Sequence, residues 1–314
     1  MPITIEPIGP SISIGESPFW DEESQNLYYI GGGSKLFSYN SKTGAHHEVK
    51  VETGGEEKRV SFALKVKGEK EKFVIGLKNS FAIVTWDGES SEPLIPQHLV
   101  DVEDQEKCHL NDGKCDPSHR LWAGSMGYFP KEVTSLDEMV KEQGSLYSMS
   151  KDRTVVKHLS KVTLSNGLAW SLDKKYFYFV DSLKYKVFGY DYDDNTGTIA
   201  NERVAFTFKK MDLGGPDGMT IDQEGMLWVA IFGEGKVLRI NPHSGELLQA
   251  VEMPCPQVTS VAFGGPNYED LFVTTANMAF QKEVKPDSLY PNAGCTFRIT
   301  GLGFKGAPSL PVQL

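Results

Sequence analysis

The strongest constraint on this chain is a period. An anchor residue that opens or closes a strand-like run recurs at Trp20, Leu64, Cys115, Trp170, Ile221 and Phe263, at spacings of 44, 51, 55, 51 and 42 residues. Each interval is filled by runs rich in aromatic and β-branched residues, such as 27–30, 73–77, 82–86, 176–180, 227–231 and 271–275. Gly, Asp, Asn and Lys clusters bound these runs, as expected of short strands between turns. A period of about 40–50 residues with several strands in each unit is the pattern of a β-propeller. The expected fold is therefore all-β, a six-bladed β-propeller formed as one domain over residues 1–314. The longest interval leaves room for one short helical insertion over 136–142, opened by Ser135 with Glu138 three places on as a capping box.

Four places before each anchor, the same phase reads Glu16, Val60, Asn111, Asn166, Asp217 and Thr259. Equivalent positions of a circular repeat converge on its axis. Two carboxylates and two carboxamides brought together there make a site for a hard cation, with Ca²⁺ first and Mg²⁺ or Mn²⁺ as alternatives. Such an ion polarises a carbonyl or phosphoryl oxygen and acidifies water. A blander reading competes with this one, because Asn-Gly and Asp-Gly are common turn dipeptides that tolerate positive φ. Glu16 fits that reading poorly, since Glu is a poor turn former and Pro18 stiffens its surroundings.

Charge narrows the partners. A net charge of −10 argues against nucleic acid and against anionic membrane surfaces. No run approaches the roughly 18 apolar residues needed for a membrane span. The four cysteines lack C-x-x-C spacing and are expected as free thiols. Nothing near Met1 has the form of a secretory leader, so a cytoplasmic protein acting on a small molecule, as a monomer or weak dimer, is expected. Gly31-Gly32-Gly33 lacks the Lys and helix of a phosphate loop, and no nucleophile elbow is present.

The segments Glu16-Ser-Pro-Phe-Trp, Asn111-Asp-Gly-Lys-Cys-Asp-Pro, Ser165-Asn-Gly-Leu-Ala-Trp-Ser, Pro216-Asp-Gly-Met-Thr-Ile-Asp and Thr300-Gly-Leu-Gly-Phe-Lys-Gly resemble the regucalcin, senescence-marker and gluconolactonase family over nearly the whole chain. The run from Val258 to Asn267 is most similar to its insect branch, which includes the luciferin-regenerating enzymes of fireflies. The resemblance implies one divalent cation in the central channel (Ca²⁺, with Zn²⁺ or Mn²⁺ as alternatives) and hydrolysis of sugar lactones. By the same resemblance, Glu16, Asn166 and Asp217 match metal ligands, Asp217 also matches the general base, and Asn111 with Asp112 matches the substrate side. Three positions depart from the family pattern. His109 stands where an Arg is usual, the stretch 127–130 with Phe129 replaces one that supplies a Glu, and Gly31 replaces an Asp. His cannot provide the fixed guanidinium fork, so a substrate less polar than an aldonolactone, bordered by His109 and Phe129, is expected. A non-catalytic propeller that binds calcium or a small molecule and a luciferin-regenerating type of enzyme are the alternatives.

Overall fold

In the computed structural model, which describes residues 2–55, 59–128, 138–211, 214–278 and 289–314, the chain forms six four-stranded antiparallel sheets. Five are built from consecutive strands, with inner strands Gly15–Asp21, Val60–Lys65, His109–Cys115, Ser165–Trp170 and Gly215–Ile221. The sixth starts from Val258–Gly264 and takes its outermost strand, Thr4–Pro7, from the other end of the chain. Thr4 pairs with Thr300 and Pro7 with Phe297, so the first strand closes the circle. The inner strands pack side by side around the axis, each on the next, and the last returns to the first. The structure is thus the six-bladed β-propeller read from the period, and the expected runs become the second or third strands of their blades.

The recurring anchors pack between blades. Trp20 stacks on Phe272 of the preceding sheet at 5.3 Å, and Trp170 meets Trp122 of the third blade edge-on at 5.8 Å. The acidic residue five places after a ring position also has a structural task. Asp116, fully buried, accepts hydrogen bonds from Trp122 Nε1, Arg120 Nε and the Tyr192 hydroxyl. Asp222 does the same for Trp228 Nε1 and Arg239 Nε. Each carboxylate ties the turn after an inner strand to the tryptophan of the next strand. A buried charge of this kind is tolerable because its lone pairs are all used.

In its described part the expected helix over 136–142 keeps only a 3₁₀ turn at Glu138. Residues 139–142 run as a bend and turn, Glu142 is left-handed at φ 57°, and Val140 N–H donates to the Tyr128 carbonyl. Met139 is drawn into a small cluster with Met126 and Leu164, and this tertiary contact overrides local propensity. Ser135 and 136–137 lie outside the described residues. The four cysteines are free and buried. No helix among the described residues is long and apolar enough to cross a membrane.

The segment after Thr300 crosses one end of the central channel. Ala307 N–H donates to the Ile221 carbonyl, Val312 N–H to the Lys65 carbonyl and Gln313 N–H to the His119 carbonyl. Val312 is fully buried. A cavity of about 200 Å³ lies between this strap and the channel, lined by Phe19, Leu64, Trp170, Ile221 and Leu310 and reaching Asp112 and Lys114.

Candidate functional site

Every inner strand carries a register shift at the ring position. Pairing breaks between Glu16 and Phe19, Val60 and Ala63, Leu110 and Asp112, Ser165 and Leu168, Pro216 and Met219, and Val258 and Ser260. Asn111, Asn166, Asp217 and Thr259 fall within the gaps, while Glu16 and Val60 are the last paired residues before theirs. A bulge bends the strand and re-aims a side chain. Here six bulges act at one level of the ring.

The turn reading of the Asn-Gly and Asp-Gly pairs does not hold. Gly113, Gly167 and Gly218 are strand residues without positive φ. Their lack of a side chain answers a close approach between neighbouring inner strands. A Cβ on Gly167 would lie 2.4 Å from Met219 Cβ, and one on Gly218 would lie 2.0 Å from Ser260 Oγ. Gly31 is crowded within its own blade, for a Cβ there would sit 2.3 Å from the Phe37 ring and 2.9 Å from Ile12, so a larger residue requires these side chains to shift.

Glu16 and Asp217 carry charges that oppose each other. Burial, then the charges of Asp217 and Asp112, hold the Glu16 carboxyl well above the usual carboxylate range. Burial, then the charge of Asp112, does the same to Asp217. Asp217 is 8% exposed, and its Oδ1 is buried with no hydrogen-bond partner. Such an oxygen is costly unless something pairs with it. Asn166, also buried, donates from Nδ2 to Ser182 Oγ at 2.7 Å and accepts at Oδ1 from Asn111 Nδ2 at 2.9 Å. Asn111 Nδ2 also donates to the Ser165 carbonyl at 2.7 Å. The third and fourth blades thus bring the two carboxamides into contact.

This donor set suits a hard cation: two mutually repelling carboxylates, one with an orphaned oxygen, and carboxamide oxygen in place of sulfur or imidazole. Among the described residues no group of three or more His, Cys, Asp and Glu side chains that could hold a metal ion is found.

His109 begins the inner strand of the third blade, and Phe129 lies outside the described residues. Burial, then the positive charges of Arg59 and Lys78, pulls the His109 imidazole down to about 4, so it is neutral at physiological pH. Arg59 and Lys78 belong to the second blade and escape a reading confined to the ring phase. Their signal in the sequence was only that Arg59 immediately precedes the ring position Val60. Lys114 was also missed. Half-buried on the same strand as Asp112, it donates from Nζ to the Met219 carbonyl at 2.5 Å, and desolvation pulls its ammonium down to about 8. Asp112 Oδ1 accepts from Gly113 N–H at 2.7 Å.

Residues 14–277 match the family model described as the SMP-30/Gluconolactonase/LRE-like region. The regucalcin of Danio rerio is 40% identical over 296 residues, covering 94% of this chain and 93% of that protein. The regucalcin of Gallus gallus is 38% identical over 311 residues, covering 98% of each. A solved structure of a luciferin-regenerating enzyme superposes with a TM-score of 0.88 at 39% identity, with full coverage of both chains. A bulged ring of oxygen donors in a closed six-bladed propeller, together with these matches, shows that the chain belongs to the SMP-30, gluconolactonase and luciferin-regenerating-enzyme family.

Proposed function

We propose that the protein is a divalent-cation-dependent hydrolase of lactones or related esters, with Ca²⁺ as the first candidate and Mn²⁺, Mg²⁺ or Zn²⁺ as alternatives. The observation that carries this reading is the buried, unpartnered Oδ1 of Asp217 beside the charge of Glu16. Glu16, Asn166 and Asp217 would hold the cation, which when bound supplies polarisation of the ester carbonyl. Asp217 is placed to take the proton of an attacking water, for it is the carboxylate with an oxygen free of other bonds. Ser182 fixes the Asn166 amide through Nδ2, and Asn166 Oδ1 in turn holds Asn111 at the rim. Neutral His109 offers a single hydrogen bond to substrate, and the charges of Arg59 and Lys78 stand beside it.

The similarity to a luciferin-regenerating enzyme along the full chain supports a second reading, in which this chain is an enzyme of the luciferin-regenerating type that acts on a nitrile. One experiment addresses both. Protein stripped of metal and reloaded with Ca²⁺, Mn²⁺, Mg²⁺ or Zn²⁺ is assayed against sugar lactones, aliphatic lactones, aryl esters, a phosphotriester and an aromatic nitrile. Turnover of a lactone or aryl ester only when loaded supports the hydrolase, and release of cyanide from the nitrile supports the second reading. Tight cation binding without turnover of any substrate would leave a non-catalytic binder and sink the enzyme reading.

A further inference from the structure

Beyond Glu16 and Asp217 the third blade contributes a second pair of charges. Asp112 is half-buried, and its negative charge acts on both Glu16 and Asp217. Lys114 lies two residues along the same strand and so on the same face. The lysine charge favours the Asp112 carboxylate against its burial, and the carboxylate favours the ammonium in return. With the Asp112 carboxylate ionised and the Lys114 ammonium protonated, the two residues together carry no net charge.

The arithmetic of the site depends on that cancellation. Glu16, Asp112 and Asp217 without Lys114 would present three negative charges. With Lys114, the net charge is two, the amount that one divalent cation neutralises. We propose that Lys114 sets the charge of the cation this channel accepts, cancelling Asp112 so that the site favours a divalent ion over a trivalent one. The inference rests on Glu16, Asn166 and Asp217 being the cation ligands.

The geometry supports a built arrangement. The Lys114 side chain reaches from the third blade to the Met219 carbonyl of the fifth, two residues beyond Asp217. Between those blades stands Gly167, where a Cβ would crowd both Met219 and the Asp217 carbonyl. Asp112, Gly113 and Lys114 also line the cavity at the strap end, so the pair stands between that cavity and the ring of ligands.

The test compares Ca²⁺ and Tb³⁺ affinities by calorimetry on metal-stripped protein, with melting curves to report folding. Lys114→Met and Lys114→Gln are expected to raise the Tb³⁺ to Ca²⁺ affinity ratio by roughly tenfold or more, since an extra buried charge favours the higher valence. Asp112→Asn alone, which leaves the lysine unbalanced, is expected to lower the ratio. The double variant Asp112→Asn/Lys114→Met is expected to return it to the wild-type value. A lysine that only satisfies the Met219 carbonyl would leave the ratio unchanged in Lys114→Met and Lys114→Gln and would leave the double variant at the level of Asp112→Asn, and either result overturns the proposal. Failure of the wild type to bind either ion would instead remove the cation reading of the site, and this inference with it.

Discussion

Replacing Gly167 with alanine is expected to destabilise the protein, although its backbone conformation suits alanine. Gly167 lies in a strand without positive φ. Backbone entropy alone would then make the substitution stabilising by about 0.4–1 kcal/mol, because the unfolded chain loses freedom. The packing opposes this. The new methyl would lie 2.4 Å from Met219 Cβ, 2.8 Å from Met219 N and 2.9 Å from the Asp217 carbonyl oxygen. Two of those three atoms are main chain, so no rotamer change relieves the overlap and the inner strands of the fourth and fifth blades must separate. Overpacking of this kind costs about 1–3 kcal/mol. Over 314 residues, an unfolding entropy of about 2 cal/mol/K per residue converts that into a fall in Tm of about 2–5 °C. The strand that shifts carries Asp217, so cation affinity should fall as well. Gly225→Ala is the control. Its φ of +81° makes alanine strained, but nothing stands within 4 Å of the added Cβ and no ring residue moves. Urea unfolding and calorimetry on both variants decide the matter. A rise in stability for Gly167→Ala, or a loss of cation affinity equal to that of Gly225→Ala, would refute the packing argument.

Asp217→Asn should abolish Ca²⁺ binding by calorimetry yet raise Tm in chelator, because it removes a desolvated carboxylate with an unpartnered oxygen. Ca²⁺ at a hundredfold excess over its Kd should stabilise the wild type by about 2.7 kcal/mol and leave that variant unmoved. His109 has a folded pKa of about 4, below its ordinary value, so the unfolded chain gains a proton near pH 6.5 that the folded chain refuses. Stability should therefore decline from about pH 6.5 toward 4, by up to about 3 kcal/mol, and His109→Gln should flatten that slope in urea titrations. His109→Arg should raise kcat/KM on gluconolactone by restoring a fixed donor fork, and no gain would place His109 outside the substrate's reach.

The blades were legible because a period in sequence is a rotation in space. Trp20, Trp170 and Ile221 mark the same level of successive inner strands, and that level could be counted without knowing any contact. Side chains at one phase had to share one height, which is why Glu16, Asn111, Asn166 and Asp217 could be grouped. The reason for the glycines was not legible. Gly167 and Gly218 have the same local sequence as a turn, and only the neighbouring blade shows that Met219 and Ser260 occupy the space a side chain would need. The helix over 136–142 does not continue through 139–142, for the converse reason. Its cap and composition are local signals, whereas Met139 answers to Met126 and Leu164, 13 and 25 residues away.

Charge balance around the axis shows most clearly what a repeat can and cannot disclose. The ring phase selects residues by height, and it selected Glu16 and Asp217, whose charges repel. Lys114 stands three residues past Asn111 and so belongs to another phase, yet its charge favours the Asp112 carboxylate against desolvation. Arg59 and Lys78 act on His109 from a neighbouring blade in the same way. Coulomb interactions in a buried channel extend across several ångströms, and they join residues that no periodicity relates. The side chains that share one level can therefore be read from spacing. The net charge at that level depends on half-buried neighbours such as Asp112 and Lys114.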